Sequence, residues 1–79
     1  MSNITKEIRE LIAEILGVDS DQIDTETAIG DFPEWDSLHH IQIISSIEKK
    51  YGIRFTPDVM MDLEDVNDIV DATEARIRR

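Results

Sequence analysis

The apolar positions at the start of the chain repeat at helical spacing. Ile4, Ile8, Leu11, Ile12 and Ile15 fall on one face, Ser2 or Asn3 stands where a cap belongs, and Gly17 suits the position just past the end. From Val18 to Asp36 the period is lost among turn formers (Asp19, Ser20, Asp21, Asp24, Gly30, Asp31, Pro33). A loop of that length is unusual in a small domain, and its apolar residues Val18, Ile23, Ile29, Phe32 and Trp35 imply that it packs across the molecule. Helical spacing returns with Asp36 as N-cap. Leu38, Ile41, Ile44 or Ile43, Ile47 and Tyr51 form the stripe, Lys49 and Lys50 suit the negative end, and Gly52 is the stop. Ile53-Arg54-Phe55 is short and extended. Thr56-Pro57 opens a short helix to about Asp62, and Asp65 caps a last one carrying Val66, Ile69, Val70, Thr73 and Ile77. The expected fold is all-α: a small four-helix bundle of three main helices and one short one, with a long loop between the first two.

Composition narrows what such a bundle can do. Seventy-nine residues make one domain, 1–79, with a thin core and little room for an enclosed catalytic cavity. There is no cysteine, so disulfides, thiolate metal sites and a thiol nucleophile are excluded. Eighteen acids against eight bases give a net charge of −10, which points away from nucleic acid and anionic membranes and toward basic partners. No Lys or Arg lies between Glu10 and Glu48, nor between Phe55 and Ala75, so most of the surface is acidic. The start of the chain has no apolar signal-like run and no segment approaches membrane-spanning length; a monomeric cytoplasmic protein is expected.

The chemistry concentrates at Trp35-Asp36-Ser37-Leu38, where the long loop meets the second helix. Together with Ile47-Glu48-Lys49-Lys50-Tyr51-Gly52-Ile53-Arg54-Phe55, a short helix and a last helix, this layout resembles the acyl carrier protein family, including peptidyl and aminoacyl carrier domains, over essentially the whole chain. The resemblance implies a non-catalytic carrier. A phosphopantetheinyl transferase attaches 4′-phosphopantetheine to Ser37, the arm's thiol holds an acyl or aminoacyl cargo as a thioester, and Asp36 contributes to the transferase's metal site. Acyl- or aminoacyl-loading and transfer enzymes are then the partners, in fatty acid, polyketide or nonribosomal peptide biosynthesis. Helix physics supports the site independently: a phosphodiester on Ser37 would meet the free N–H groups and positive end of the helix.

The resemblance also implies that the space between the second and third helices receives the cargo, with Ile44, Val59, Met60 and Ile69 as lining, and that His39 and His40 flank the arm, where either can touch it or a partner; the scarcity of acids on the second helix makes Leu38 and Ile41 the expected apolar partner contacts. Family members of fatty-acid synthesis carry a strongly acidic second helix. Here Glu48 is the one acid after Ser37, which favours a carrier dedicated to a specialised pathway.

The rivals are weaker. An unmodified helical protein-interaction module would share the bundle and lack the arm. Asp36, Ser37 and His40 are the residue types of a hydrolase, but adjacent side chains on one turn do not build a triad, and no Gly-x-Ser-x-Gly elbow is present. A calcium loop starting at Asp19 fails as well, because Ile23, Asp24 and Gly30 occupy the positions of a ligand, the glycine and the closing glutamate; no metal site is expected.

Overall fold

A computed structural model describes residues 4–77; the caps expected from Ser2 or Asn3 lie outside them. The chain forms α1 (Ile4–Leu16), a 3-10 turn (Ser20–Gln22), α2 (Ser37–Tyr51), α3 (Pro57–Asp62) and α4 (Val66–Ile77), the all-α bundle expected. Helix α1 packs against both α2 and α4. Its Ile8, Ile12, Ala13 and Leu16 meet Ile43, Ile44 and Ile47 of α2 and Val66, Ile69 and Val70 of α4 in one core. Gly17 ends α1 in the left-handed region at φ 73°, where a side chain would be strained. There the Val18 N–H donates to the Ala13 carbonyl at 3.0 Å and the Gly17 N–H to Glu14 at 3.3 Å, serving carbonyls the helix leaves open.

The long loop is held at both ends. Arg9 reaches down from α1, its Nε donating to the Ile23 carbonyl at 2.6 Å and its Nη2 to Ser20 at 3.1 Å. Further on, Ala28 bridges Asp65, the Ile29 N–H donates to Glu64 at 2.9 Å, and Thr27 and Thr25 accept from Val66 and Asn67 at 3.0 and 2.9 Å. Backbone groups that would otherwise lack partners are thereby satisfied, and Ile23 and Trp35 enter the core. The loop packs across the molecule as its apolar residues imply.

The stripe on α2 differs from the one expected. The inward positions are His40, Ile43, Ile44, Ile47 and Tyr51, while Leu38 and Ile41 are 64% and 59% exposed. Both sets keep helical spacing; the packing of α1 and Trp35 selects the face that contains His40. Tyr51 donates its hydroxyl to Glu7 Oε1 at 2.6 Å, tying the end of α2 to α1. Burial, and then Glu7, raise the Tyr51 pKa far above its ordinary value. Ile53-Arg54-Phe55 forms no strand. Glu48 Oε2 accepts from the Phe55 N–H at 2.8 Å, and Arg76 donates to the Arg54 carbonyl at 2.8 Å with its guanidinium 5.0 Å from the Phe55 ring centre. Thr56 caps α3 ahead of Pro57, and Asp65 caps α4, accepting from the Asp68 N–H at 2.7 Å.

Among the described residues no Lys or Arg is ion-paired with a carboxylate; Arg9 and Arg76 serve backbone carbonyls instead. The acidic surface is therefore held together against its own repulsion. Added sodium chloride is expected to raise the melting temperature by screening within about 8–10 Å, and millimolar magnesium to raise it further. A flat or falling series of melts would show that the carboxylates are already far enough apart.

Candidate functional site

Asp36 ends the loop in an extended conformation and its carboxylate caps α2. Oδ1 accepts from the His39 N–H at 2.9 Å and lies 2.9 Å from His39 Nδ1. These contacts, the backbone one first, hold the Asp36 pKa below the ordinary carboxylate value, so the side chain stays anionic. Ser37 is the first residue of α2 and is exposed. The Asp36 carboxylate takes the His39 N–H and the Asp36 carbonyl accepts from His40 at 2.9 Å. The N–H groups of Ser37 and Leu38 are left without an intrahelical partner, as the first positions of any helix are. An exposed hydroxyl beside two such donors, with the neighbouring carboxylate turned back toward His39, fits a phosphodiester.

One turn along α2, His40, Ile41 and Ile44 form one wall of a groove of about 360 Å³, closed by Pro57, Met60 and Met61 around α3. Ile44 and Met60 stand where the cargo-space expectation put them. Val59 does not line this groove; it packs against the core, and Ile69 is wholly buried inside it. Ile69 lies on the face of α4 that meets α1. Pro57 and Met61 take the places of Val59 and Ile69. Leu38, Ile41 and Met61 are the large apolar side chains exposed around the groove mouth and the start of α2.

His40 is also held from the core side. Trp35, only 1% exposed, donates its Nε1–H to His40 Nδ1 at 3.0 Å, and the two rings stack with centres 6.0 Å apart. Burial holds the His40 pKa below its ordinary value, opposed by the Leu63 backbone. His40 keeps the helical spacing of Ile43, Ile44, Ile47 and Tyr51, but the same spacing holds for Leu38 and Ile41, so the sequence did not single it out. Glu48 was also missed, as an acceptor for the Phe55 N–H. The described residues hold no cluster of His and carboxylate side chains able to take a metal ion.

Residues 6–73 match the model of the phosphopantetheine attachment site family. The chain belongs to the acyl carrier protein family. An acyl carrier protein of Acidothermus cellulolyticus is 30% identical over 64 residues, covering 81% of this chain and 76% of that one. The solution structure of a holo acyl carrier protein from Geobacter metallireducens superposes with a TM-score of 0.87 at 27% identity, over 99% of this chain and 90% of that one. Acyl carrier proteins are carriers and not enzymes, and their covalent cofactor is 4′-phosphopantetheine. They work with phosphopantetheinyl transferases and acyl-handling enzymes. No described helix of this carrier is long and apolar enough to cross a membrane.

Proposed function

We propose that Ser37 bears the phosphopantetheine arm, and that this single-domain, monomeric cytoplasmic carrier presents acyl cargo in a specialised biosynthetic pathway. The observation that carries the reading is the exposed Ser37 hydroxyl at the start of α2, just after the capping Asp36 and one turn from an apolar groove. The arm supplies the thiol that the chain lacks and binds cargo as a thioester. This chain's own part is positional. Asp36 orders the first turn, the N–H groups of Ser37 and Leu38 face the phosphate, and His40, Ile41, Ile44 and Met60 offer the cargo a wall. The specialised assignment is supported by α2 itself, whose one acid after Ser37 is engaged with the Phe55 N–H while Leu38 and Ile41 are exposed. Intact mass after incubation with a broad-specificity transferase and coenzyme A tests the reading. Gain of the arm's mass is expected; an unchanged mass favours the unmodified interaction module.

Recognition by partners should rest on those apolar side chains more than on charge. Leu38→Ala is expected to slow arm attachment on the order of tenfold, the scale of one well-packed interface anchor. Glu34→Gln and Asp62→Asn, exposed acids near the site in sequence, should change it by no more than about twofold to fivefold. Glu48 is a poor comparison because its carboxylate holds the segment before α3. Initial rates by mass spectrometry decide the matter, and a larger effect from either acid would overturn the apolar model.

A further inference from the structure

Apart from Lys6 and Arg9 on α1, the described bases gather at the end of the bundle away from Ser37. Lys49 and Lys50 are in the last turn of α2, Arg54 lies in the extended segment after it, and Arg76 is in the last turn of α4. The rise of α2 sets Lys50 roughly 20 Å from Ser37. Tyr51, Gly52, Ile53, Arg54, Arg76 and Ile77 line an open cleft of about 570 Å³ that has no carboxylate in its lining. A second cleft of about 400 Å³ shares Ile53 and Arg54 with it and adds Lys49; its one acid, Glu48, is engaged with the Phe55 N–H. Complementing the negative ends of helices accounts for Lys49, Lys50 and Arg76. It does not account for Arg54, which is exposed, lies outside any helix and makes no side-chain hydrogen bond or ion pair among the described residues. Arg76 is fixed in place by the Arg54 carbonyl at 2.8 Å, the Ala72 carbonyl at 3.2 Å and the Phe55 ring, none of which neutralises its charge.

We propose that this end of the bundle is a second docking surface, for an acidic segment of a partner protein that carries an apolar residue among its carboxylates. A net charge of −10 repels such a segment at a distance. Close in, charge is screened within about 8–10 Å, and the acids beside Ser37 are about twice that far away. The nearer acids Glu7 and Glu48 are turned to the Tyr51 hydroxyl and the Phe55 N–H, so the cations decide the sign of the field inside the clefts. Their spread over two adjoining clefts, with Ile53 and the partly exposed Ile77 between, suits an extended segment better than one compact anion. Arg76 is held before anything binds, which lowers the ordering cost of pairing it with a carboxylate. Docking here leaves Ser37 clear. A partner held at this surface keeps the carrier close while the other end is presented to an active site.

The test titrates the ¹⁵N-labelled, unmodified full chain, so its outcome does not depend on whether Ser37 takes an arm. The probes are a short peptide with glutamates around one leucine and the same peptide with glutamines. The glutamate peptide is expected to shift the amides of Tyr51, Gly52, Ile53, Arg54 and Ile77, and the glutamine peptide to bind on the order of tenfold more weakly. The double variant Lys49→Gln/Arg54→Gln should lose on the order of tenfold in affinity, the scale of two exposed charge pairs. Equal binding of the two peptides, unchanged affinity in the double variant, or shifts centred on the groove beside Ser37 overturn the inference. So does saturation of the same shifts by inorganic phosphate or by phosphatidylglycerol vesicles at lower concentration than the peptide, which would make this a phosphate or lipid site. Should the double variant fail to fold, the wild-type shifts and the comparison of the two peptides decide.

Discussion

Ser37→Ala is expected to leave the protein at its unmodified mass under conditions in which wild type is converted completely to the holo form. The effect is all-or-none because the substitution removes the hydroxyl oxygen that must bond to phosphorus. Among the described residues no other serine is placed to replace it. Ser45 and Ser46 lie in the interior of α2, where the N–H groups are committed to the helix, and Ser20 begins the 3-10 turn whose carbonyl Arg9 holds. The fold should be indifferent to the change, since Ser37 is exposed and the cap is Asp36; a surface substitution of this kind shifts stability by about 0.5 kcal/mol or less. Circular dichroism and a thermal melt establish that the variant is folded, and intact mass then reads the chemistry. A folded Ser37→Ala protein that still gains the arm would sink the assignment.

Trp35→Ala is expected to destabilise the protein by about 3–5 kcal/mol, the usual cost of removing a buried aromatic side chain. A domain of this length has only about 4–12 kcal/mol in total, so the variant should be largely or wholly unfolded at physiological temperature. Trp35→Phe separates packing from polarity. It keeps an aromatic ring and loses the N–H that His40 Nδ1 accepts, at about 1 kcal/mol. The two proteins should also differ in acid. Burial holds the folded His40 pKa below the ordinary 6.5, so the unfolded chain takes up the proton first. Wild-type stability is full above that value and falls as the pH drops from it toward the folded pKa.

This decline opposes the gain expected from neutralising carboxylates. That gain comes lower, and it excludes Asp24 and Asp36, whose depressed pKa values mean that their contributions are lost as acid protonates them. Mild acidity should therefore weaken the wild-type fold before it relieves repulsion. Urea unfolding from about pH 8 to about pH 5, followed by Trp35 fluorescence in wild type, measures the slope. A slope of the same size in Trp35→Phe, followed by circular dichroism, would show that the indole bond does not set the His40 protonation state.

The helices and the caps of the last three were legible because each is a local property. Asp36, Thr56 and Asp65 each accept a hydrogen bond from the N–H group three residues on, and Gly17 and Gly52 adopt the left-handed turn their neighbours require. Asp-Ser-Leu at a helix start after a long loop is what assigns the arm to Ser37 in the proposed function. The inward face of α2 was less accessible. Leu38 and Ile41 have the right spacing and the right hydrophobicity, and nothing local to α2 says that His40 is turned inward instead.

That choice was made by Trp35, five residues away on the loop, whose indole needs an acceptor once it is buried. The same holds for Glu48 with Phe55, Arg9 with Ile23 and Ser20, and the bridge from Ala28 to Asp65. Sequence alone determined the elements, their ends and the serine to which the arm is assigned, because these depend on propensities and hydrogen bonds within one or two turns. Only the tertiary structure decided which apolar side chains stay outside as a contact surface and which polar one goes in. Burial depends on what the rest of the chain places against each face, and a helical period is the same whichever face is covered.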